Sequence, residues 1–512
     1  MSGTSLFDTG PFAPCPPRFN LAAHTLARAA TDPDRPALEI LNAPGVVAET
    51  WTIGEIETAV RGTAAGLSKL GIVKGDRVLL RLGNSSAFPI AFFAAITLGA
   101  IPVPVSSQLT ETEITGLAAD LEPALICRDQ DLSFPGTIPF PVISLTELTD
   151  LRKNPPSTYA DTAADDPAYM VYTSGSGGSP KGVVHAQRAA WARRMMWEGW
   201  YGLTPSDRVL HAGAFNWTYT LGAGLTDPWA IGATALIYTG KPDRHIWPEL
   251  ARNHHPTIFA AVPGVYRQML GGNLTTGFAS LRHGLSAGEA MPAAVAEAWS
   301  AATGKPIYEA LGMSEVSTYI SFSPSRPPVP GRAGYPQPGR RIAILADTGT
   351  DPVPTGEDGL LAVSSRDPGL MLEYWRRPED TKDAFRGEWF LTGDRARMDA
   401  DGAITYLGRA DDLMNAGGFR VNPAEIEAVL LQHPNIAEAA AAEITIGPGK
   451  SIIAAFVSPK HGSVNEKEIS DLCAARLARY KCPRAFHVLP TLPRSANGKI
   501  LRRKLKEDYG TT

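Results

Sequence analysis

Apolar positions recur along this chain in two alternating spacings. From Gly54 to Leu70 they fall at helical intervals with polar residues between them, which predicts an amphipathic helix. Lys74-Gly75-Asp76 reads as a turn, and Arg77 to Leu82 after it as a strand. A second helix after Ala87 and a second strand at Ile101 to Val105 continue the alternation, and Tyr169 to Tyr172 reads as a further strand. Repeated helix and strand predict α/β layers with much parallel sheet. The character changes after Leu407. There Pro423 to Leu431 is helical in pattern, Ile452 to Val457 strand-like and Glu466 to Tyr480 helical. A tail of about one hundred residues is long enough for a domain of its own. The expected fold is therefore α/β, with a large N-terminal domain of layered sheets and helices at 1–409 and a small, mobile α+β C-terminal domain at 410–512. Two stretches read as connections: Lys153-Asn154-Pro155-Pro156-Ser157, and the Pro, Ser, Gly and Arg-rich Ser323 to Gly334, predicted to wrap the surface.

Ala87 to Val105 carries no charge and is nearly long enough to span a bilayer. Pro89, Gly99, Pro102 and Pro104 interrupt it, and its helix-compatible part, Ile90 to Leu98, is too short to cross. It is expected to be a buried helix running into a buried strand. The 48 basic and 52 acidic residues leave a net charge of −4, which calls for neither nucleic acid nor an anionic membrane as partner. Cys15, Cys127, Cys473 and Cys482 are scattered, without zinc-knuckle or redox spacing, as expected of unpaired thiols in a reducing cytoplasm. The Pro-rich stretch Phe7 to Arg18 is not a secretory core.

The strongest local signal is Tyr172-Thr173-Ser174-Gly175-Ser176-Gly177-Gly178-Ser179-Pro180-Lys181-Gly182. A strand is predicted to enter it and a helix to leave it. Small residues let backbone N–H groups approach phosphate oxygens, the hydroxyls of Thr173, Ser174 and Ser176 add donors, and Lys181 supplies a mobile positive charge. A bare Ser/Gly run would be a flexible linker. The Pro-Lys-Gly ending and the apolar strand before it weigh against that. Gly182 stands where a Walker A loop has Ser or Thr, and Pro180 where a dinucleotide fingerprint has its third Gly, so neither class applies.

With this loop the chain resembles the adenylate-forming superfamily of acyl- and aryl-CoA synthetases, nonribosomal adenylation domains and luciferases. Further motifs follow in that superfamily's order. Ser286-Ala287-Gly288-Glu289-Ala290 resembles its adenine loop, with Gly288 and Glu289 at the nucleotide. Tyr308 to Glu315 resembles the motif that ends in a Mg²⁺-binding acid. It places Leu311, Gly312, Met313 and Ser314 at ATP and gives Glu315 the metal, a role its hard oxygens suit. Trp389 to Asp394 resembles the motif whose Asp holds the ribose hydroxyls. In Gly408 to Arg420 the resemblance gives Arg409 a nucleotide contact, Asp411 the hinge, Gly417 and Gly418 the pantetheine tunnel, and Arg420 a part in the ATP half-reaction. Pro493 to Ile500 carries Lys499, which would stabilise charge developing between carboxylate and α-phosphate. Gly177 stands where the superfamily's phosphate loop has Thr, so one hydroxyl donor is missing; Leu311 replaces the usual aromatic beside adenine.

The implied activity is that of an AMP-forming acid:CoA ligase using ATP, Mg²⁺ and coenzyme A, cytoplasmic, without a membrane span, with a homodimer left open. The run His211 to Pro228 resembles medium-chain ligases, and Leu311 to Phe322 resembles benzoate-type ligases. Trp217, Tyr219, Gly312, Thr318 and Tyr319 are thereby expected around the acyl group, with the small Gly312 disfavouring acetate. The aromatics among them are equally compatible with plain core residues. The alternatives are an enzyme loading a separate carrier protein and an inactive nucleotide-binding homologue. Lys181, Glu315, Asp394, Arg409 and Lys499 together oppose the second.

Overall fold

A computed structural model describes residues 3–510 except 174–179, 241–242, 244, 273, 275–276, 411–413, 417–418, 448–449, 478, 480, 496–497 and 499, and excepting the side chains of 415, 416, 419, 420 and 450. Its spine is a nine-stranded sheet. Six neighbouring strands run parallel: Ile307–Met313, His283–Ala287, Ile258–Ala261, Arg208–His211, Thr234–Tyr238 and Pro36–Ala43. Antiparallel strands close both edges, Ser317–Ser321 with Tyr335–Pro336 on one side and Val46–Thr52 on the other. The inner strands lack a polar face: Ile258–Ala261 is buried at every position, as is His283–Ala287. Strands covered on both faces read as continuous apolar runs, and this gives them their central place.

A second parallel sheet holds Ile101–Pro104, Arg77–Arg81, Leu125–Arg128 and Val142–Ser144 in that order. The uncharged helix Ala87–Thr97 packs between these layers with all eleven residues buried, as its sequence predicts. Pro89 sits in its first turn, where no intrahelical N–H is lost. Among the described residues no helix is long and apolar enough to cross a membrane. The amphipathic helix is Ile53–Lys69, started by a capping box in which Thr52 and Glu55 satisfy each other's backbone N–H. An antiparallel sheet built on Arg341–Leu345, Asp358–Ser364 and Trp389–Met398 forms a third layer.

The C-terminal part is α+β. Strands Ile436–Gly447 and Lys450–Pro459 pair antiparallel, and Ala485–Val488 joins the second in parallel. Helices Pro423–Leu430 and Glu466–Arg476 bury Ile426, Leu430, Ile469 and Cys473 in the cluster on one face, and Leu505 of the helix Arg502–Tyr509 packs in the other. The Glu466 helix stops at Arg476 rather than running to Tyr480, since Leu477 is already extended. The second difference lies after the glycine-rich loop. Lys181–Ala186 is a strand, not a helix, because Gly182-Val183-Val184 pairs with Tyr172, Val171 and Met170 and leaves that loop at a hairpin tip.

Candidate active site

The phosphate-type loop spans the hairpin of Pro167–Thr173 and Lys181–Ala186, with Thr173 directly opposite Lys181. Ser174, Gly175, Ser176, Gly177 and Gly178 lie outside the described residues. Lys181 Nζ is 3.0 Å from Asp380 Oδ1 and 4.9 Å from the centre of the Tyr374 ring. The Tyr374 hydroxyl donates to Glu315 Oε1 at 2.8 Å. Burial and the adjacent Glu315 carboxylate push the Tyr374 phenol far up, so it stays a donor. One tyrosine thus links the loop lysine to the candidate metal acid.

Glu315 is 9% exposed, in the turn between strands Ile307–Met313 and Ser317–Ser321. Its carbonyl accepts from Met371 N–H at 2.7 Å, which fixes the turn. Among the described residues no group of three or more His, Cys, Asp or Glu side chains is placed to hold a metal. A lone buried carboxylate beside a phosphate site suits Mg²⁺, which keeps water and substrate phosphates as its remaining ligands.

Asp394 is 6% exposed and accepts at Oδ1 from Tyr406 Oη at 3.2 Å and Arg409 Nη1 at 3.4 Å. Arg409 also donates to Thr392 carbonyl at 2.9 Å, across the paired strands that set Asp394 opposite Arg409. Gly393 between them has φ +74°, and a Cβ there would lie 2.6 Å from Arg409 Nη2, so the position requires glycine on both counts.

On the adenine side, Gly288 (φ +97°) ends the strand His283–Ala287 with Trp217 against its backbone. Glu289 Oε2 lies 3.8 Å from Arg494 Nη1 of the C-terminal part, and Arg494 Nη2 is 2.6 Å from Glu438. The Pro493–Ile500 loop therefore faces the adenine loop. Lys499 itself, Asp411, Gly417 and Gly418 lie outside the described residues, as does the Arg420 side chain.

One residue not singled out from the sequence joins this site. Glu309 opens the motif that ends in Glu315, and its Oε1 accepts from Met291 N–H at 2.9 Å, beside the adenine loop. Burial raises its carboxyl to about 7. A carboxylate six residues before Glu315, on the strand Ile307–Met313, carried no marker beyond its place inside the motif. The raised value means that the folded chain binds a proton more tightly than the unfolded one. Stability then falls as pH rises from about 4.5 to about 7, and the cost is complete above it. Glu309→Gln keeps the acceptor oxygen and removes the charge. It is expected to raise the thermal midpoint at pH 8 and to change it little at pH 5, measured by calorimetry at both.

Of the residues expected around the acyl group, Trp217 lies beside Gly288. Tyr219 meets the Trp217 ring edge-on at 5.9 Å, and it is also stacked on Trp200 (5.6 Å, 26°) and edge-on to His211 (4.4 Å). Tyr319 is fully buried in the core beneath the third sheet. Thr318 is 8% exposed, its hydroxyl 3.0 Å from Met196 Sδ and its carbonyl held by the buried Arg340 at 2.8 Å. Gly312 pairs with Thr318 at a bulge, and a Cβ on it would meet Ser317 O at 2.6 Å. The glycine is demanded by that close backbone approach; the direction a side chain would take is into the hairpin. Leu311 and Met313 flank it, partly buried against the third-sheet core.

Residues 26–375 match the AMP-binding enzyme family. The chain belongs to that family. Residues 425–499 match the AMP-binding enzyme C-terminal domain, which agrees with a large N-terminal and a small C-terminal unit. The chain is 30% identical over 488 residues to a 3-hydroxybenzoate–CoA ligase of Aromatoleum sp. (strain CIB), covering 91% of this chain and 93% of that one. It is 31% identical to a benzoate–CoA ligase of Thauera aromatica, covering 90% and 91%. Among solved structures it resembles an anthranilate CoA ligase in complex with anthranoyl-AMP, with a TM-score of 0.86, 28% identity and coverage of 97% and 98%. The adenylate-forming architecture of this AMP-binding enzyme is thus the one its motif order implies.

Proposed function

We infer that this enzyme is an ATP-dependent ligase joining an aromatic carboxylic acid to coenzyme A. The observation that carries the chemistry is the chain of contacts Lys181–Tyr374–Glu315, which sets a phosphate cation and a metal acid side by side. The aromatic class is supported by relatives whose names are hydroxybenzoate and benzoate ligases, matched over about nine-tenths of each chain.

The acid's carboxylate oxygen attacks the α-phosphorus of ATP. The bond between α- and β-phosphates breaks and pyrophosphate leaves. This step is governed by positioning and charge neutralisation. Lys181 and the hairpin loop hold the phosphates, Glu315 would hold Mg²⁺, and Asp394 takes the ribose hydroxyls. Bound Mg²⁺ supplies charge neutralisation on the phosphate oxygens. The thiol sulfur of coenzyme A then attacks the acyl carbon, AMP leaves, and the thiol proton passes to solvent. No covalent bond to the protein is required. In this reading the boundary between the domains falls at 409/410, Asp411 is the hinge, Gly417 and Gly418 border the thiol path, and the enzyme is cytoplasmic. Free Cys15, Cys127, Cys473 and Cys482 support the reducing location.

The test is a panel of acids with MgATP, with and without coenzyme A, read by mass spectrometry. AMP release that depends on coenzyme A, with one dominant aryl-CoA, is expected. Acyl-AMP without acyl-CoA would transfer the thiol role to a carrier protein. No adenylate from any acid would overturn the ligase reading.

A further inference from the structure

The turn that carries Glu315 is held at its base by a buried charge pair that the reaction itself does not use. Met313 pairs with Ser317 across the hairpin, which leaves Ser314, Glu315 and Val316 at its tip. His185 Nε2 donates to the Ser314 carbonyl at 2.8 Å, since that oxygen only accepts, and Met371 N–H donates to the Glu315 carbonyl at 2.7 Å. A further tether acts at the base, where Arg193 Nη1 donates to Ser317 Oγ at 2.7 Å.

Ser317 is the strained residue of this turn. Its φ is +71°, in the left-handed region that residues with a side chain avoid. Among the described residues Glu122, His255 and Arg376 are the other non-glycine cases. Glu122 and His255 end helices, where such backbone is ordinary. Ser317 instead opens a strand. Glycine would take this φ without cost. What the serine adds is an oxygen for Arg193.

Arg193 is itself firmly placed. Its Nε lies 3.0 Å from both oxygens of Asp227, and its Nη2 lies 2.6 Å from Oδ2 and 2.9 Å from Tyr201 Oη. The Tyr201 hydroxyl donates to Asp227 Oδ2 at 2.8 Å. The Arg193 and Asp227 side chains are only 10% and 2% exposed. A Cβ on Gly222 would lie 2.0 Å from Nη2, so the backbone there closes on the guanidinium. Taking two charges out of water costs about what their attraction returns, which makes such a pair a weak source of stability. It does present Ser317 with a donor that cannot move.

We propose that Arg193 is a positioning residue for the metal acid. Fixed by Asp227 and Tyr201, it holds Ser317 in its left-handed conformation and so sets the turn from which Glu315 presents its carboxylate. The proposal rests on the metal role given to Glu315 above. Without the anchor, a side chain at 317 favours return to the ordinary backbone regions, and the tip of the turn shifts with it. Mg²⁺ demands near-ideal octahedral geometry and tolerates a displaced oxygen ligand poorly.

The test compares Ser317→Ala with Ser317→Gly. Both delete the same hydrogen bond to Arg193, so the difference between them isolates the backbone. The readouts are ATP–pyrophosphate exchange across a Mg²⁺ titration with the best acid of the panel, equilibrium binding of MgATP without acid, and the thermal midpoint of the unliganded protein. Ser317→Ala is expected to raise the Mg²⁺ concentration for half-maximal exchange and the Kd for MgATP by about tenfold. Ser317→Gly is expected to stay within about threefold of wild type on both, and to melt above Ser317→Ala. Arg193→Met combined with Asp227→Leu leaves no lone buried charge. That enzyme is expected to repeat the Ser317→Ala losses, and adding Ser317→Gly to bring both values back within about threefold of wild type. A folded Ser317→Ala enzyme that matches Ser317→Gly in Mg²⁺ dependence and MgATP binding overturns the proposal. So does a loss in the Arg193→Met, Asp227→Leu enzyme that Ser317→Gly leaves unchanged, and this second comparison decides if Ser317→Ala does not fold. Glu315→Gln separates the two readings. If it leaves the Mg²⁺ requirement unchanged, the metal role falls and the proposal with it; if it raises that requirement while Ser317→Ala and Ser317→Gly agree, the proposal falls alone.

Discussion

Glu315→Gln lowers acyl-adenylate formation by about 100- to 1,000-fold. The buried carboxylate sits in a turn fixed by Met371 N–H, with one oxygen already receiving the Tyr374 hydroxyl. Glutamine keeps the shape and an acceptor for Tyr374, so the turn survives. What is lost is a full negative charge beside the phosphates, the feature that makes an oxygen ligand useful to a hard divalent cation. ATP–pyrophosphate exchange at saturating acid measures the effect directly. Tyr374→Phe leaves the carboxylate in place and keeps the ring beside Lys181, and is expected to cost much less, on the order of tenfold, by removing the hydroxyl donated to Glu315. An exchange rate for Glu315→Gln within threefold of wild type would remove Glu315 from the metal role.

Lys499→Ala is expected to depress the first half-reaction by about 100-fold or more and to spare the second. The argument comes from the residues around it. Arg494 reaches Glu289 at 3.8 Å, and a Cβ on Gly498 would lie 4.0 Å from Glu289 Oε1, so the loop that carries Lys499 faces the adenine loop. In the proposed reading, a cation there would serve the carboxylate and α-phosphate, where charge builds during adenylation. Thiolysis of a preformed adenylate would need no such cation. The check is paired: pyrophosphate exchange for the first half, and acyl-CoA formation from supplied benzoyl-AMP for the second. Equal loss in both, or in neither, would show that Lys499 does not distinguish them.

Much of the nucleotide side was legible in the sequence, because its chemistry resides in short contiguous runs. Thr173 to Lys181, Tyr308 to Glu315 and Trp389 to Asp394 each keep the binding groups within a few residues, and local backbone geometry brings them to one place. Glycine reads clearly there as well. Gly393 needs its left-handed backbone and its missing side chain because Arg409 lies across it, and both partners belong to recognisable motifs. Burial of Ala87–Thr97 was equally plain, since an uncharged helix too short to cross a bilayer finds its stable place between packed layers.

The acyl side was not legible in the same way. Tyr219 and Tyr319 have the composition of pocket residues, yet a helical residue faces one side of its axis and a strand residue one face of its sheet. Only the packed layers determine that Tyr219 stacks on Trp200 and Tyr319 enters the core. The same holds for the segment after Lys181. Val183 and Val184, which would serve a helix or a strand, became a strand because Val171 and Met170 stood opposite to pair with them. The sequence by itself determined the family to which the chain belongs and its two-part α/β and α+β organisation. The tertiary structure alone decided that Arg193, Tyr201, Asp227 and Ser317, up to 124 residues apart, form one buried hydrogen-bonded cluster. Desolvation makes an isolated buried charge or donor costly, so these groups are tolerable only together, and no local pattern records which distant partner satisfies each.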